Sequence, residues 1–85
     1  MPHRPPSRLR VSPTRYDKTG YVSCTKAQAD CFDVSYFGSE PRYGEGWFPA
    51  YDTDMKHRYK DLNTAIAKAE EFQRRWNIET LEIEG

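Results

Sequence analysis

The amino-acid sequence predicts an α+β domain, in which a small antiparallel sheet of about four or five strands packs on one amphipathic helix and a C-terminal strand follows. Two observations predict this class. One segment has apolar residues at helical spacing, whereas the apolar residues elsewhere alternate as they do in strands. The strands come first and are joined by short connections, which favours α+β over a βαβ arrangement.

The helix is predicted over Asp61–Trp76. Its apolar residues recur every three or four positions and form one stripe, consisting of Leu62, Ala65, Ile66, Ala69, Phe72 and Trp76. Asp61 stands where an N-cap is expected, and Asn77 suits the left-handed position after the last turn. Ile78 is then placed to pack back over the helix end. Such a stripe has to be buried, so the sheet is expected to lie against it.

Strands are predicted where β-branched and aromatic residues concentrate or alternate with polar ones, namely over residues 21–25, 31–37, 47–52, 57–59 and 78–83. In the clearest of them, Phe32, Val34 and Tyr36 share one face of the sheet. Pro49 lacks an amide hydrogen, which favours an edge strand or a bulge. Leu81 and Ile83 are expected to point inward.

The connections are predicted from turn residues. Asp17-Lys18-Thr19-Gly20 is typical of a tight turn, because the aspartate can bond its own backbone and glycine tolerates a left-handed conformation. Residues 38–46 contain three glycines and a proline and are expected to form a long loop.

The chain of 85 residues is expected to form one domain. Residues 1–14 are interpreted as a basic, Pro- and Arg-rich flexible arm, and residues 15–85 as the single α+β domain. Leu9 and Val11 alternate with polar residues, so the arm could add an edge strand to the sheet. Charge is uneven although the net charge is +0, since residues 1–18 hold five basic residues against one acidic residue and residues 61–85 hold six acidic against three basic.

No apolar run approaches the ~20 residues that span a bilayer, so no membrane association is expected. The first residues lack the apolar core of a secretory signal, and the cytoplasm is the default location. Cys24 and Cys31 would face each other if residues 21–26 and 31–37 formed a hairpin. This leaves a disulfide and two reduced thiols as alternatives.

No catalytic set, cofactor site or metal site is predicted, so the protein is not expected to be an enzyme. His57 lies between Lys56 and Arg58, which would depress its protonation, and no spacing supports a pair with Cys24 or Cys31. A metal site formed by these two cysteines, His57 and His3 would have an unusual spacing. Asp52 and Asp54, with Glu40 and Glu45 near them, are interpreted as turn and loop residues rather than as catalytic carboxylates.

The twelve aromatic residues exceed what one helix can cover, so some are expected on the outer face of the sheet. If Phe48 packs inside, Trp47 and Tyr51 lie on the other face. Exposed tryptophan, tyrosine and arginine dominate binding hot spots. The first hypothesis is therefore a protein partner, bound through the open sheet face and the 39–47 loop by Arg42, Tyr43, Trp47 and Tyr51.

The alternative hypothesis is DNA or RNA binding. It uses the basic residues of the arm and those beside the helix start, which are Arg8, Arg10, Arg15, Lys56, Arg58 and Lys60. The order of strands followed by a helix opening in YKDLNTAIAKAEEF loosely resembles integrase arm-binding and AP2-like domains over residues 31–76. That resemblance implies strands that enter a DNA groove.

A short α+β chain without a catalytic set is also similar in style to phage-encoded inhibitors of host defence, anti-CRISPR proteins among them. This likeness implies a protein-binding inhibitor or adaptor. Together with the aromatic surplus, it makes a small non-enzymatic protein-binding module the leading hypothesis.

Overall fold

The computed structural model describes residues 6–84. Among them are one α-helix, a short 3-10 helix (Lys26–Gln28) and six strands, and the α+β class predicted from the sequence is confirmed. The helix, α1, spans Leu62–Trp76. The strands are β1 (Arg8–Asp17), β2 (Gly20–Ser23), β3 (Cys31–Glu40), β4 (Gly44–Pro49), β5 (Arg58–Tyr59) and β6 (Thr80–Ile83).

All six strands form one sheet with β1 and β3 at its centre, paired antiparallel. The outer side of β1 carries β2 along its second half and β6 along its first half. The outer side of β3 carries β5 and then β4. The β1–β6 pair is parallel, whereas the other four pairs are antiparallel.

The prediction of a flexible arm over residues 1–14 is wrong for residues 8–14, which belong to a central strand. Leu9 and Val11 are both 0% exposed, because they lie on the helix side of β1. In the sheet, β1 has β3 on one side and β6 on the other at these positions. Pro13 is tolerated within β1 and lies opposite Phe32. Residues 1–5 of the predicted arm lie outside the described residues.

Helix α1 packs across the two central strands, as its apolar stripe predicts. Its buried residues Ala65, Ala69 and Phe72 meet a core formed mainly by β1 and β3, namely Leu9, Val11, Phe32 and Val34. The small alanines allow the helix to approach the sheet closely. Tyr36, Leu62, Trp76 and Leu81 pack at the margin of this core.

Both predicted helix caps are confirmed. The Asp61 carboxylate accepts a hydrogen bond from the Thr64 amide at 3.0 Å and another from the Thr64 hydroxyl at 3.1 Å. Asn77 adopts the left-handed conformation (φ 55°, ψ 48°), and the Ile78 amide donates back to the Gln73 carbonyl at 2.9 Å. Ile78 is buried, which completes the hydrophobic contact that accompanies this type of helix end.

Replacing Asp61 by alanine is expected to lower the free energy of unfolding by about 1 kcal/mol, because the first-turn amide of Thr64 loses its acceptor. Urea unfolding followed by circular dichroism measures the change. Asn63→Ala is the matched control, since Asn63 is exposed in the same turn and makes no capping bond. Equal losses in the two variants would show that the cap does not stabilise the helix.

The strand register tests three local predictions. The long loop expected over residues 38–46 is a hairpin whose strands extend to Glu40 and start again at Gly44, which leaves residues 41–43 as the turn. Ile83 is aligned with Val11 and so lies on the helix side of the sheet, as predicted, but it is 47% exposed because it lies at the end of an edge strand. The predicted position of Pro49 in an edge strand is confirmed, since β4 ends the sheet.

The predicted facing of Cys24 and Cys31 is also wrong, because β1 runs between them. The Cys24 amide donates to the Pro13 carbonyl, whereas Cys31 is aligned with Thr14 on the other side of the same strand. Strands two apart in a sheet are separated by about 10 Å, beyond the ~7 Å reach of a disulfide. Both cysteines are accordingly free.

Candidate functional site

The sheet face opposite the helix, here called the open face, carries an unusual set of side chains. Alternate residues of β1 point to it, namely Arg8, Arg10, Ser12, Thr14 and Tyr16. The strand register brings aromatic and charged residues of the other strands beside them, which are Tyr21, Asp33, Phe37, Trp47, Arg58 and Glu82. Eight of these eleven residues form two clusters.

The first is the Trp47 cluster, formed by Arg8, Arg10, Phe37 and Trp47. The Phe37 and Trp47 rings meet edge to face with their centroids 5.5 Å apart. The Arg10 guanidinium lies 4.1 Å from the Trp47 centroid, and that of Arg8 lies 5.2 Å from it. Both distances are within the range of cation–π contacts.

The arginines of the Trp47 cluster are also paired with the acidic end of the chain. Arg8 donates to the Glu82 carboxylate, and Arg10 lies 3.4 Å from that of Glu84. The parallel pairing of β6 with β1 creates both contacts. The basic N-terminal and acidic C-terminal segments thus neutralise each other on one surface.

The second is the Tyr21 cluster, formed by Tyr16, Tyr21, Asp33 and Arg58. The Arg58 guanidinium lies 3.6 Å from the Tyr21 ring centroid, and Tyr16 meets Tyr21 edge to face at 5.5 Å. Arg58 also donates to both carboxylate oxygens of Asp33, from Nε at 2.7 Å and from Nη2 at 3.2 Å. This fork is the geometry that binds a carboxylate most specifically. Arg58 is therefore held by a ring and a carboxylate together.

A groove runs beside the Tyr21 cluster, between the β1–β2 hairpin and the start of α1, with a cavity volume of about 690 Å³. Its floor includes Cys31 and Tyr59, both buried. The remaining lining residues are polar or aromatic, namely Tyr16, Tyr21, Asp30, Lys56, Arg58, Lys60, Asp61 and Thr64. A volume of this size falls within the range of ligand sites.

The loop between β4 and β5 positions one wall of this groove. The Asp52 carboxylate accepts from the amides of Asp54 and Lys56 at 2.8 and 2.9 Å, and from the Tyr59 hydroxyl at 2.8 Å. The amide of Lys56 is the main cause of the lowered pKa of Asp52. The prediction that Asp52 is a turn residue is confirmed. Its contact with Tyr59 fixes the loop to β5 next to Lys56.

His57 has a packing contact rather than a partner suited to proton transfer. Its ring meets Tyr51 edge to face at 5.0 Å. Within residues 6–84 no hydrogen bond joins it to Cys24 or Cys31, and the Cys31 thiol instead lies 3.0 Å from the Thr14 hydroxyl. Burial lowers the pKa of His57 below 6.5, against the opposing charge of Asp33, and Arg58 lowers it further.

Lowering the pH from about 7 to about 5 is expected to destabilise the protein partly through His57. Its folded pKa lies below the unfolded value, so its contribution to stability is full above pH 6.5 and is lost as the pH falls toward the folded pKa. Urea midpoints at the two pH values measure the loss, and His57→Gln should lose less than the wild type. An identical loss in both proteins would contradict this role.

The four residues predicted to bind a protein do not form one patch. Arg42 and Tyr43 lie in the β3–β4 turn, where Tyr43 is 73% exposed. Trp47 is on the open face, because Phe48 packs beside Tyr36 at the helix side. Tyr51 follows the end of β4 and contacts His57. Of the four, Trp47 is the residue that joins a cluster on the open face.

The six residues predicted for nucleic-acid binding are divided as well. Arg8 and Arg10 belong to the Trp47 cluster, and Lys56, Arg58 and Lys60 line the groove. Arg15 is exposed on β1 near the hairpin turn. Residues from the two hypotheses therefore lie together. Arg8 and Arg10, which were predicted to bind phosphates, stack on Trp47, which was predicted to bind a protein.

The site residues predicted from the sequence did not include four members of the two clusters, namely Tyr16, Tyr21, Asp33 and Phe37. The signal for Tyr16 was available, because β1 alternates from Arg8 to Tyr16. Asp33 and Phe37 alternate with Val34 and Tyr36, which were predicted to share one face, so the same pattern puts them on the other. No local signal identified their partners, since Arg58 is 25 positions from Asp33 along the chain.

No family model, curated protein or solved structure matches the chain. Within residues 6–84 no group of three or more His, Cys, Asp or Glu side chains is placed to hold a metal ion. His3, considered with the cysteines as a metal ligand, lies outside the described residues. Among those residues, the single α-helix lacks the length and apolarity needed to cross a membrane.

Proposed function

We propose that the protein is a small non-enzymatic module that binds another protein through its open face. The Trp47 cluster is the proposed centre of the contact, and the Tyr21 cluster extends it along the sheet. The β3–β4 turn with Arg42 and Tyr43 adds an exposed rim. The proposal includes a role as an inhibitor or adaptor. This role is suggested by the likeness to phage accessory and anti-CRISPR proteins, many of which are also short α+β chains without a catalytic set.

The observation that carries the proposal is the neutralised, aromatic character of the open face. Its arginines Arg8, Arg10 and Arg58 each combine a ring contact with a carboxylate partner. Tryptophan, tyrosine and arginine are the residues enriched at hot spots of protein interfaces. The internal pairs hold these side chains in place, so a partner would meet a preorganised surface and less conformational entropy would be lost on binding.

Replacing Trp47 by alanine is expected to weaken partner binding about 30-fold, corresponding to about 2 kcal/mol, because the largest ring on the open face is removed. Quantitative affinity capture from cells that make the protein compares wild type and variant. Arg74→Ala is the control, since Arg74 is exposed on the helix, away from the sheet. Capture that depends equally on both residues, or on neither, would contradict the proposed interface.

Nucleic-acid binding remains the second candidate, and one observation favours it. Lys56 and Lys60 have no carboxylate partner within 4.0 Å among the described residues, so their charges are available to phosphates. The ion pairs of Arg8, Arg10 and Arg58 oppose it, because a phosphate would have to displace or approach a carboxylate. This candidate requires DNA or RNA affinity that falls steeply with added salt, measurable by fluorescence anisotropy with labelled duplex and single strands.

A further inference from the structure

The groove beside the Tyr21 cluster combines an apolar floor with cations at its rim. Cys31 and Tyr59 are only 6% and 8% exposed at the floor, whereas Tyr16 and Tyr21 are 67% and 46% exposed at one wall. The rings supply rigid, amphipathic contact area. Such a groove suits an apolar side chain inserted between the hairpin and the helix start.

Some charged side chains of the groove already have a partner within residues 6–84, whereas two lysines do not. The Asp30 carboxylate accepts from the Tyr16 amide at 3.0 Å, and that of Asp61 caps the helix through Thr64. Arg58 is held by Asp33. Lys56 and Lys60 are exposed and lack a carboxylate partner among residues 6–84. The groove therefore offers two ammonium groups to an incoming ligand, whereas both of its carboxylates already accept hydrogen bonds.

We propose that this groove binds an extended acidic segment of a partner protein. An apolar or aromatic side chain of the segment lies on the floor formed by Cys31 and Tyr59. Carboxylates flanking that side chain pair with Lys56 and Lys60. The inference rests on the proposed protein-binding function and adds the chemistry that the partner presents at one end of the interface.

The charge arrangement favours an acidic peptide over a nucleic acid. Nucleic-acid affinity depends on neutralising many phosphates in succession, and two lysines would release about two counterions. The carboxylates of Asp30 and Asp61 lie in the same groove and repel any anion, so a ligand whose negative charges are spaced apart fits better than a phosphate backbone, which carries one charge at every nucleotide. A peptide can instead alternate an apolar anchor with carboxylates, which suits a groove lined by buried Cys31 and Tyr59 and by Lys56 and Lys60.

The test is an anisotropy titration of the full chain with fluorescein-labelled peptides. The probe has one central phenylalanine flanked on both sides by glutamates, and the comparison peptides carry lysines or serines in place of the glutamates. The acidic probe is expected to bind at least about tenfold more tightly than either comparison peptide. Equal binding of the three peptides, or no binding of the acidic one, would overturn the proposal.

Charge-reversed variants locate the binding. Lys56→Glu combined with Lys60→Glu should weaken binding of the acidic probe about tenfold or more. Lys26→Glu is the matched control, because Lys26 is an exposed lysine that does not line the groove. Circular dichroism and urea unfolding establish that the variants fold. Equal weakening by the Lys26 variant would overturn the assignment to the groove.

Two further measurements separate this inference from the proposed function. Trp47→Ala should leave binding of the acidic probe unchanged, because Trp47 does not line the groove. If the probe fails while Trp47-dependent capture of a partner persists, the groove proposal is wrong and the protein-binding function stands. Competition with single-stranded DNA is the second measurement. If the DNA displaces the acidic probe, binds in a salt-sensitive way and loses its affinity when Lys56 and Lys60 are reversed, the groove binds nucleic acid and the peptide proposal is wrong.

Discussion

Replacing Leu9 by alanine is expected to lower the free energy of unfolding by about 3 kcal/mol. Leu9 is 0% exposed and lies between Tyr36 of β3 and Leu81 of β6 on the helix side of the sheet. The substitution removes buried methyl groups and leaves a cavity that the rigid central strands cannot close. Small domains have about 5–15 kcal/mol of total stability, so the variant would be marginal at physiological temperature. Urea unfolding followed by tryptophan fluorescence measures the loss.

Ile83→Ala is the matched control for this prediction. Ile83 is also aliphatic and lies in β6, but it is 47% exposed, so its truncation is expected to cost less than about 1 kcal/mol. A Leu9 variant as stable as the wild type would mean that residues 8–14 are a flexible arm after all.

Replacing Arg58 by methionine is expected to cost about 2 kcal/mol. The substitution keeps much of the apolar stem but removes the fork that binds Asp33, whose side chain is 17% exposed. Asp33 then keeps a largely buried charge with no cation beside it, which is more costly than the loss of an exposed ion pair. The stack on Tyr21 is lost at the same time.

Arg8→Met is the corresponding control, because the pair of Arg8 and Glu82 is more open, with side-chain exposures of 44% and 41%. Its loss is expected to be within about 1 kcal/mol. A double-mutant cycle with Asp33→Asn isolates the pair, since the double variant should lose less than the sum of the single variants. Additive losses would show that Arg58 and Asp33 do not stabilise each other.

The helix could be predicted completely because its determinants are local. Its stripe, the Asp61 cap and the Asn77 end all lie within 17 consecutive residues, and the structure has both caps and every stripe residue except Ile66 in or against the core. The first seven residues of β3, 31–37, were predicted for the same reason, since their alternation is long, whereas residues 38–40 were predicted as loop. By contrast, β1 alternates between buried Leu9 and Val11 and polar residues, but its proline and arginines, and the further prolines before it, are typical of a disordered segment.

The candidate site could be predicted less well because it depends on strand pairing. The basic and acidic ends of the chain were visible in the sequence as separate segments. The parallel pairing of β6 with β1 brings them together, so that Arg8 and Arg10 are neutralised by Glu82 and Glu84. A count of charges along the chain could not show this. The same limit applies to Arg58, which meets Asp33 only through the β3–β5 pairing.

Photo-crosslinking from the open face shows whether that face contacts another protein in cells. Tyr16 is replaced by p-benzoylphenylalanine, which keeps an aromatic ring at a position that is 67% exposed, and the same group at Arg74 of the helix serves as the control. After irradiation in cells that make the protein, we expect a discrete adduct from position 16 and none from position 74, and this adduct should be removed by protease and unchanged by nuclease. An adduct that nuclease shortens, or the same adducts from both positions, would contradict a protein-binding open face.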